Sequence, residues 1–102
     1  MKRINLIYEC GYNDVDILCV PDYVADNIEY VEQEFLHWIN NEPLSHLPHR
    51  FKKKDRTGHT IITLGTGEFI WWLNNLFITN GERASIIEMH GYYRPEYPSI
   101  NL

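Results

Sequence analysis

One amphipathic stripe constrains the fold of this chain more than any other feature. After Pro21, apolar residues recur at spacings of four, three, four, three and one, and at 3.6 residues per turn they share one face of a helix. Pro21 suits the opening of a helix because its ring fixes φ and it has no amide proton to satisfy. The pattern predicts one helix that starts at Pro21, ends by the run 40–43 and buries a single face: Val24, Ile28, Val31, Phe35, Trp38 and Ile39.

The segment before this helix has the composition of a β-hairpin. Residues 4–10 and 15–20 are rich in β-branched and aromatic side chains and flank a cluster of turn formers at 11–14, which predicts two antiparallel strands. In such a hairpin Cys10 and Cys19 stand too far apart along the ribbon to form a disulfide. We therefore expect both thiols to be reduced and structural.

The second half of the chain contains two further strand candidates and a second helix. Residues 60–64 have strand composition, and Gly65-Thr66-Gly67 then breaks the strand. Thr66 is placed to cap the helix that follows through its hydroxyl. The run 84–89 predicts a last strand. On a helical wheel Trp71 points away from the face that the core would take: Phe69, Trp72, Leu73, Leu76 and Phe77.

This order of elements, β-β-α-β-α-β, predicts an α+β fold. The expected architecture is a two-layer sandwich in which two helices cover one face of an approximately four-stranded, mostly antiparallel or mixed sheet. A chain of 102 residues is the size of one domain, so we expect a single domain over 1–102, with 91–102 as an extended C-terminal tail. A hydrophobic content of 44% excludes a disordered chain.

Charge is distributed unevenly between the two parts of the chain. Residues 1–42 carry nine acids against Lys2 and Arg3, a balance of −7, whereas residues 43–102 carry a balance of +2. An uncompensated negative field steers basic molecules toward a surface. The N-terminus lacks the apolar segment of a signal peptide or a membrane span, so a cytoplasmic protein is expected.

The first helix is the strongest candidate for a partner-binding surface. Solvated helices usually intersperse lysines that pair with acids four residues away, but no lysine or arginine occurs from Asp22 to Glu42. Trp71, if it faces solvent, would be a natural interface anchor. The predicted partner-binding residues are Asp22, Asp26, Glu29, Tyr30, Gln33 and Trp71.

No recognisable catalytic, cofactor or metal signature accompanies these acids. His46-x-x-His49 and His59 lack the convergent cysteine or histidine ligands of a zinc site, and Gly65-x-Gly67 lacks the third glycine and the lysine of phosphate-binding loops. The sequence predicts a protein that is not an enzyme and has no metal or cofactor. A small enzyme with a site at His37, His49 or His59 stays open as a further alternative.

A basic run supplies the main alternative function. Basic side chains are interleaved with one aromatic ring in Arg50-Phe51-Lys52-Lys53-Lys54-Asp55-Arg56. This composition is typical of nucleic-acid binders, because basic side chains attract phosphates and an aromatic ring stacks on a nucleotide. The net charge of −5 opposes this interpretation, and basic edge strands also guard sheets against aggregation. A small nucleic-acid-binding regulator that uses the basic loop 50–56 is therefore the second hypothesis.

Two segments carry a resemblance to a known class of proteins. One is Glu34-Phe35-Leu36-His37-Trp38-Ile39 at the end of the first helix. The other is Gly65-Thr66-Gly67-Glu68-Phe69-Ile70-Trp71-Trp72-Leu73-Asn74 at the start of the second. Together they are similar to small domains encoded beside bacterial toxins. The chain thereby resembles the immunity proteins of contact-dependent growth inhibition and other polymorphic toxin systems. The resemblance is one of general character and transfers no contact residue position by position.

The resemblance implies a cytoplasmic inhibitor without chemistry of its own. It would bind a cognate toxin domain, often a basic nuclease, and block its substrate channel or an adjoining surface. The expected partner is this toxin domain, with no membrane and no small-molecule substrate, and direct binding of nucleic acid is not the leading expectation. The acidic residues fit this role, because carboxylates that stand in for phosphates give fast, salt-sensitive association.

Overall fold

The computed structural model describes residues 1–7 and 14–102. Short 3₁₀ turns at Leu44–His46 and His49–Phe51 follow the second helix, and a π-helical turn, Leu73–Phe77, continues the third. The regular elements in chain order are β1 (Lys2–Ile7), β2 (Val15–Val20), α1 (Asp22–Ala25), α2 (Ile28–Asn41), β3 (Lys52–Lys54), β4 (Thr60–Ile62), α3 (Thr66–Trp72), β5 (Ser85–Gly91) and β6 (Ser99–Asn101).

The predicted α+β fold is confirmed, with a four-stranded mixed sheet in the order β5-β2-β1-β6. The pairs β1–β2 and β2–β5 are antiparallel, and β6 pairs parallel with β1. The strand predicted at 60–64 does not belong to this sheet. It forms β4, which pairs with β3 in a separate hairpin. The C-terminal tail supplies the fourth strand instead, because Ile100 of β6 is fully buried in the core.

The predicted antiparallel pairing of the two N-terminal segments is confirmed, with strands over Lys2–Ile7 and Val15–Val20. The part of the first predicted strand beyond Ile7 lies outside the described residues. β1 and β2 pair antiparallel over their full lengths, with Cys19 opposite Arg3. The thiol of Cys19 is free and half-buried. Cys10 and residues 11–13 of the predicted turn lie outside the described residues, so the predicted state of Cys10 stays a prediction.

The single helix predicted from Pro21 is wrong in one respect, because the chain breaks it at Asp26 and Asn27. α1 ends at Ala25 and α2 begins at Ile28. Asn27 leaves the helical region at ψ 44°, and its side-chain amide donates to the carbonyl of Tyr23 over 2.7 Å. An asparagine side chain that bonds nearby backbone competes with helix formation in this way. The predicted end of the helix is confirmed, since α2 ends at Asn41.

Both layers meet in one aromatic cluster. Alternate residues of β1 and β2 face the helices, and α2 contributes Val31, Phe35 and Ile39 to the same core. The ring of Phe35 lies 5.2 Å from the rings of Phe69 and Trp72, in edge-to-face geometry. Such aromatic pairs contribute beyond the area that they bury. Phe35 therefore joins α2 to α3.

The second predicted helix, which is α3 in the structure, differs from its prediction at both ends. Gly65 occupies the N-cap position without a side-chain bond, and the hydroxyl of Thr66 donates instead to the carboxylate of Asp16. The predicted cap is wrong because buried Asp16 needs a donor and Thr66 supplies it. At the other end the π turn changes the angle between successive residues, and Leu76, predicted to face the core, is 50% exposed.

A buried side chain of the sheet binds the C-terminal tail, in addition to the pairing of β6 with β1. Asn5 is fully buried in β1. Its side-chain nitrogen Nδ2 donates to the backbone carbonyls of Arg94 and Tyr97 over 2.8 and 3.1 Å. Its side-chain oxygen accepts from the N–H of Arg94 at 3.0 Å. Tyr97 also packs on Ile7, Val15 and Ile17, on the sheet face opposite to the main core. Tyr97 thus covers part of the face that the helices leave open.

We expect Phe35→Ala to lower the free energy of unfolding by about 3–5 kcal/mol, because it removes a fully buried ring at the junction of both helices. Leu36→Ala, at a neighbouring residue that is 38% exposed, should cost less than about 1 kcal/mol. Urea denaturation followed by tryptophan fluorescence measures both values. Equal losses would contradict the assignment of Phe35 as the junction.

We expect Asn5→Asp to destabilise the fold by about 2 kcal/mol or more, because it replaces a donor to two carbonyls by an acceptor at a buried position. Ser99→Ala removes only the hydroxyl that lies 3.2 Å from the Asn5 nitrogen and should cost about 1 kcal/mol or less. Hydrogen exchange of the amides of residues 99–101 gives a second measurement. Unchanged exchange in Asn5→Asp would show that the tail is held by other contacts.

Candidate partner-binding surface

The predicted acidic residues form one exposed surface at the start of the helical layer. Asp22 lies in α1, Asp26 lies in the break, and Glu29 and Gln33 follow one turn apart on α2. All four side chains are exposed. Tyr30 is 56% exposed beside them. Five of the six predicted residues are therefore exposed in α1, in α2 or in the break between them.

Two of these acids are already paired within the chain. The carboxylate of Asp22 lies 2.8 Å from the Met1 amine, and that of Asp26 lies 2.7 Å from the Lys2 ammonium. The hydrogen bond from the Met1 amine lowers the pKa of Asp22, and the bond to Asp26 raises the pKa of Lys2. Exposed pairs of this kind contribute little to stability. Their effect is to reduce the negative field at this end of the surface.

The unpaired negative charge is concentrated on α2. Glu29 and Glu34 are exposed and form no ion pair with any residue in 1–7 or 14–102. Glu32 accepts a hydrogen bond from the backbone N–H of Asn101 at 3.1 Å. Since α2 contains no lysine or arginine, nothing on the helix itself compensates these acids.

Aromatic rings connect this acidic surface to the core. The rings of Tyr23 and Tyr30 each lie 6.3 Å from that of Phe77 in the π turn, and Phe77 lies 5.1 Å from Trp72. A hollow of about 440 Å³ opens beside Tyr30 and is lined by residues 25–30 and Pro98. Exposed tyrosines on a packed base are typical of protein interfaces.

Trp71 does not belong to this surface. Its half-buried ring lies 6.2 Å from Trp38 and 5.5 Å from Phe51, and it packs against the core. The prediction that it faces away from the core is wrong, because the segment before β3 folds back and places Phe51 against it. Trp71 is therefore not an exposed anchor.

A second concave site was not foreseen from the sequence. It is a cleft of about 400 Å³ between α2 and the π turn, called here the α2 cleft. Trp72, Leu76 and Phe77 form one wall. Spacings of three, four, seven and eight put four residues of α2 and the residue that follows it on the other wall: Glu34, His37, Trp38, Asn41 and Glu42. That periodicity was visible in the sequence, but the outward turn of Leu76 was not.

The basic run folds into a turn and a strand. Arg50 belongs to the 3₁₀ turn before β3, and Lys52, Lys53 and Lys54 make up β3 itself. These lysines line a shallow site of about 260 Å³ with His49 and Thr60. Phe51 is fully buried, so its ring is not available to stack on a nucleotide. The structure thus excludes base stacking by Phe51, whereas attraction of phosphates by the exposed lysines is still possible.

The residues best placed to hold a metal ion in the described part of the chain are Asp14, Asp16 and His90. Their ligand atoms lie within 4.8 Å of one another. Asp16 is buried, but one of its oxygens accepts from Thr66 and the other from the backbone N–H of His90 at 3.0 Å. These bonds account for the burial of Asp16 without an ion.

His90 contacts both acids of this cluster. It adopts a left-handed backbone with φ 56°, which is uncommon outside glycine, at the irregular end of the β2–β5 pairing. Its Nδ1 lies 2.5 Å from the carboxylate of Asp14. Hydrogen bonding to Asp14 raises the pKa of His90 above its ordinary value of 6.5.

The other histidines do not converge. His46 lies 3.4 Å from Glu42, and the side chains of His59 and Asp55 are 4.0 Å apart. His37 contacts the side chain of Asn41 at 3.3 Å. None of them shares a possible metal site with other ligands in the described residues.

Comparison of the chain with protein-family models, with curated proteins and with solved structures finds no match. No helix in the ranges 1–7 and 14–102 is both long and apolar enough to cross a membrane.

We expect the pKa of His90, measured by NMR titration of its ring protons, to lie above 6.5 and to fall in Asp14→Asn, because the carboxylate stabilises the charged ring. The His90–Asp14 pair makes its full contribution to the free energy of unfolding at pH values below the pKa of His90 in the unfolded chain. This contribution is lost as the pH rises through the raised pKa of the folded state.

Asp55→Asn, which removes a carboxylate near another histidine, is the matched control and should leave the pKa of His90 unchanged. A His90 pKa at or below 6.5 in the unmodified protein would contradict the Asp14 contact.

Proposed function

We propose that this protein is a non-catalytic immunity protein that acts in the bacterial cytoplasm. It binds a cognate toxin domain with a basic surface, such as a nuclease, and neutralises it. The observation that carries the proposal is the exposed face of α2, where Glu29 and Glu34 have no basic partner in the described residues. The resemblance of the two helical segments to immunity proteins points in the same direction.

The physical basis is complementarity of charge followed by packing of rings. A negative surface raises the rate at which a basic protein arrives, and this acceleration falls with ionic strength. Tyr23 and Tyr30 supply exposed aromatic area that desolvates once the partner is seated. An acidic protein that covers a nuclease in this way blocks the path of its phosphate substrate without any chemistry of its own.

The decisive experiment pairs this protein with the product of the open reading frame beside its gene, since immunity proteins are encoded next to their toxins. We expect co-expression to restore the growth of bacteria that produce the C-terminal domain of that product. Purification should yield a stable one-to-one complex. Absence of both growth protection and a complex would overturn the proposal.

Charge reversal then tests the surface. We expect Glu29→Lys combined with Glu34→Lys to slow association by about tenfold at low salt and to reduce its salt dependence, because both unpaired carboxylates change sign. Asp22 and Asp26 are weaker probes, since their reversal also breaks the pairs with Met1 and Lys2. Stopped-flow measurement over a salt series gives the rates.

Glu96→Lys, an exposed acid on the C-terminal tail, changes the net charge by +2, as each single reversal of Glu29 or Glu34 does. It is the matched control for those single reversals and should alter the rate by less than about threefold. Equal effects of all three reversals would mean that net charge alone drives association, and would remove α2 from the interface.

The second candidate function is a nucleic-acid-binding regulator that uses β3. The cluster of Lys52, Lys53 and Lys54 around one shallow site favours it, because adjacent cations neutralise successive phosphates. Titration of labelled RNA and DNA at low salt separates the two functions. Tight binding that is lost in Lys53→Glu would favour the regulator over the inhibitor.

A further inference from the structure

We infer that the α2 cleft binds the guanidinium group of an arginine side chain presented by the basic partner. The inference deepens the proposed function and rests on it for the identity of the partner as a protein. It adds the position and the chemistry of one specific contact, which the charge of the surface alone does not define.

The cleft combines a ring-lined floor with an acidic edge. Trp38 and Phe77 are half-buried, Trp72 is 4% exposed, and Leu76 is 50% exposed at the rim. Glu34 stands one helical turn before Trp38 on the same wall. The rings are held by the core, since Trp38 packs 5.4 Å from Phe51 and Trp72 packs 5.2 Å from Phe35. Packing in the core therefore positions the rings that line the cleft.

The charges of the cleft select among possible occupants. An apolar side chain would fill the floor, but it would desolvate the carboxylate of Glu34 without offering a donor, which is costly. An anion would be repelled by Glu34 and Glu42. A cation satisfies both parts of the site, because it pairs with a carboxylate and is attracted to the face of an aromatic ring. No lysine or arginine of the described residues lines the cleft.

Arginine fits this site better than lysine does. The guanidinium group is planar and weakly hydrated, stacks on rings and donates two parallel hydrogen bonds to one carboxylate. The ammonium group of lysine is a compact, strongly hydrated charge that gains less from a flat apolar floor. A cleft with a tryptophan and a carboxylate one turn apart matches the flat cation.

Glu34 is the carboxylate that would make this contact. Glu42 lies eight residues further along the helix, about 12 Å at the usual rise, and its side chain is already 3.4 Å from His46. Glu34 has no ion-pair partner in the described chain. One guanidinium cannot span both, so Glu42 contributes through its field and Glu34 through direct bonds.

The site has a continuous connection to the acidic surface. Phe77 lines the cleft, while Tyr23 and Tyr30 pack at 6.3 Å from the same ring. A partner that covers these tyrosines would therefore reach the cleft without crossing a region of opposite charge. The cleft and the exposed rings of Tyr23 and Tyr30 therefore lie on one side of the helical layer.

The test uses short peptides as probes and the intact protein as receptor. An arginine-containing peptide is titrated into labelled protein, and the indole N–H signals of Trp38 and Trp72 are followed by NMR. Matched peptides carry citrulline, which keeps the shape but loses the charge, or leucine, which tests an apolar occupant. We expect saturable shifts with arginine and affinity weaker by about fivefold or more with citrulline and leucine.

Two variants locate the contact. Glu34→Gln should weaken binding of the arginine peptide by about fivefold, whereas Glu96→Gln, the same change at an exposed acid of the C-terminal tail, should change it by less than about twofold. Leu76→Lys places an ammonium group of the chain itself in the cleft and should abolish the shifts. Far-ultraviolet circular dichroism verifies that each variant is folded, and Leu76 tolerates the change because it is half exposed.

The outcomes separate this inference from the proposed function. Equal binding of arginine, citrulline and leucine peptides, equal losses in Glu34→Gln and Glu96→Gln, or no indole shift at all would each overturn the arginine site. If the toxin is neutralised and Glu34→Gln leaves its dissociation rate unchanged, the cleft inference fails while the immunity function stands. If the arginine peptide binds as described but no toxin is neutralised, the cation site stands and the immunity function fails.

Discussion

The contact of Phe35 with Phe69 and Trp72 determines how the helical layer is arranged. These rings belong to segments far apart in the sequence, and their edge-to-face packing at 5.2 Å sets the rotation of α2 about its own axis. Once Phe35 points into the core, the 3.6-residue period places Glu29, Gln33 and Glu34 on the solvated side. The acidic surface is thus a geometric consequence of where one aromatic ring is buried.

Buried polar side chains fix the parts of the fold that the aromatic core does not reach. Asn5 holds the C-terminal tail through bonds to the backbone of Arg94 and Tyr97, and Asp16 connects the start of α3 to β5 through Thr66 and the N–H of His90. Both lie in the N-terminal hairpin, on opposite faces of the sheet. Each is fully bonded, as a group removed from water must be to avoid a desolvation penalty.

The acidic and the basic residues, which lie in different parts of the sequence, also lie on different elements of the fold. The acids of α2 gather on the helical layer, while Lys52, Lys53 and Lys54 occupy a hairpin outside the main sheet. Pairing with Met1 and Lys2 weakens the acidic field around α1, so the free negative charge is concentrated between Glu29 and Glu34. A basic protein partner would therefore be steered toward α2 and its cleft, and away from β3.

The sequence by itself determined the α+β class, both strands of the N-terminal hairpin, the end of the first helix and the exposure of its acids, because these follow from local periodicity and turn chemistry. Only the tertiary structure decided what depends on contacts between distant segments. It gave the fourth place in the sheet to the tail rather than to residues 60–64, since Ile100 fits the core and Asn5 binds the tail backbone. It buried Trp71 against Phe51, and through the π turn it rotated Leu76 outward to open the α2 cleft. Helical periodicity reports which residues share a face, but the identity of the segment that covers each face is set by packing across the whole domain.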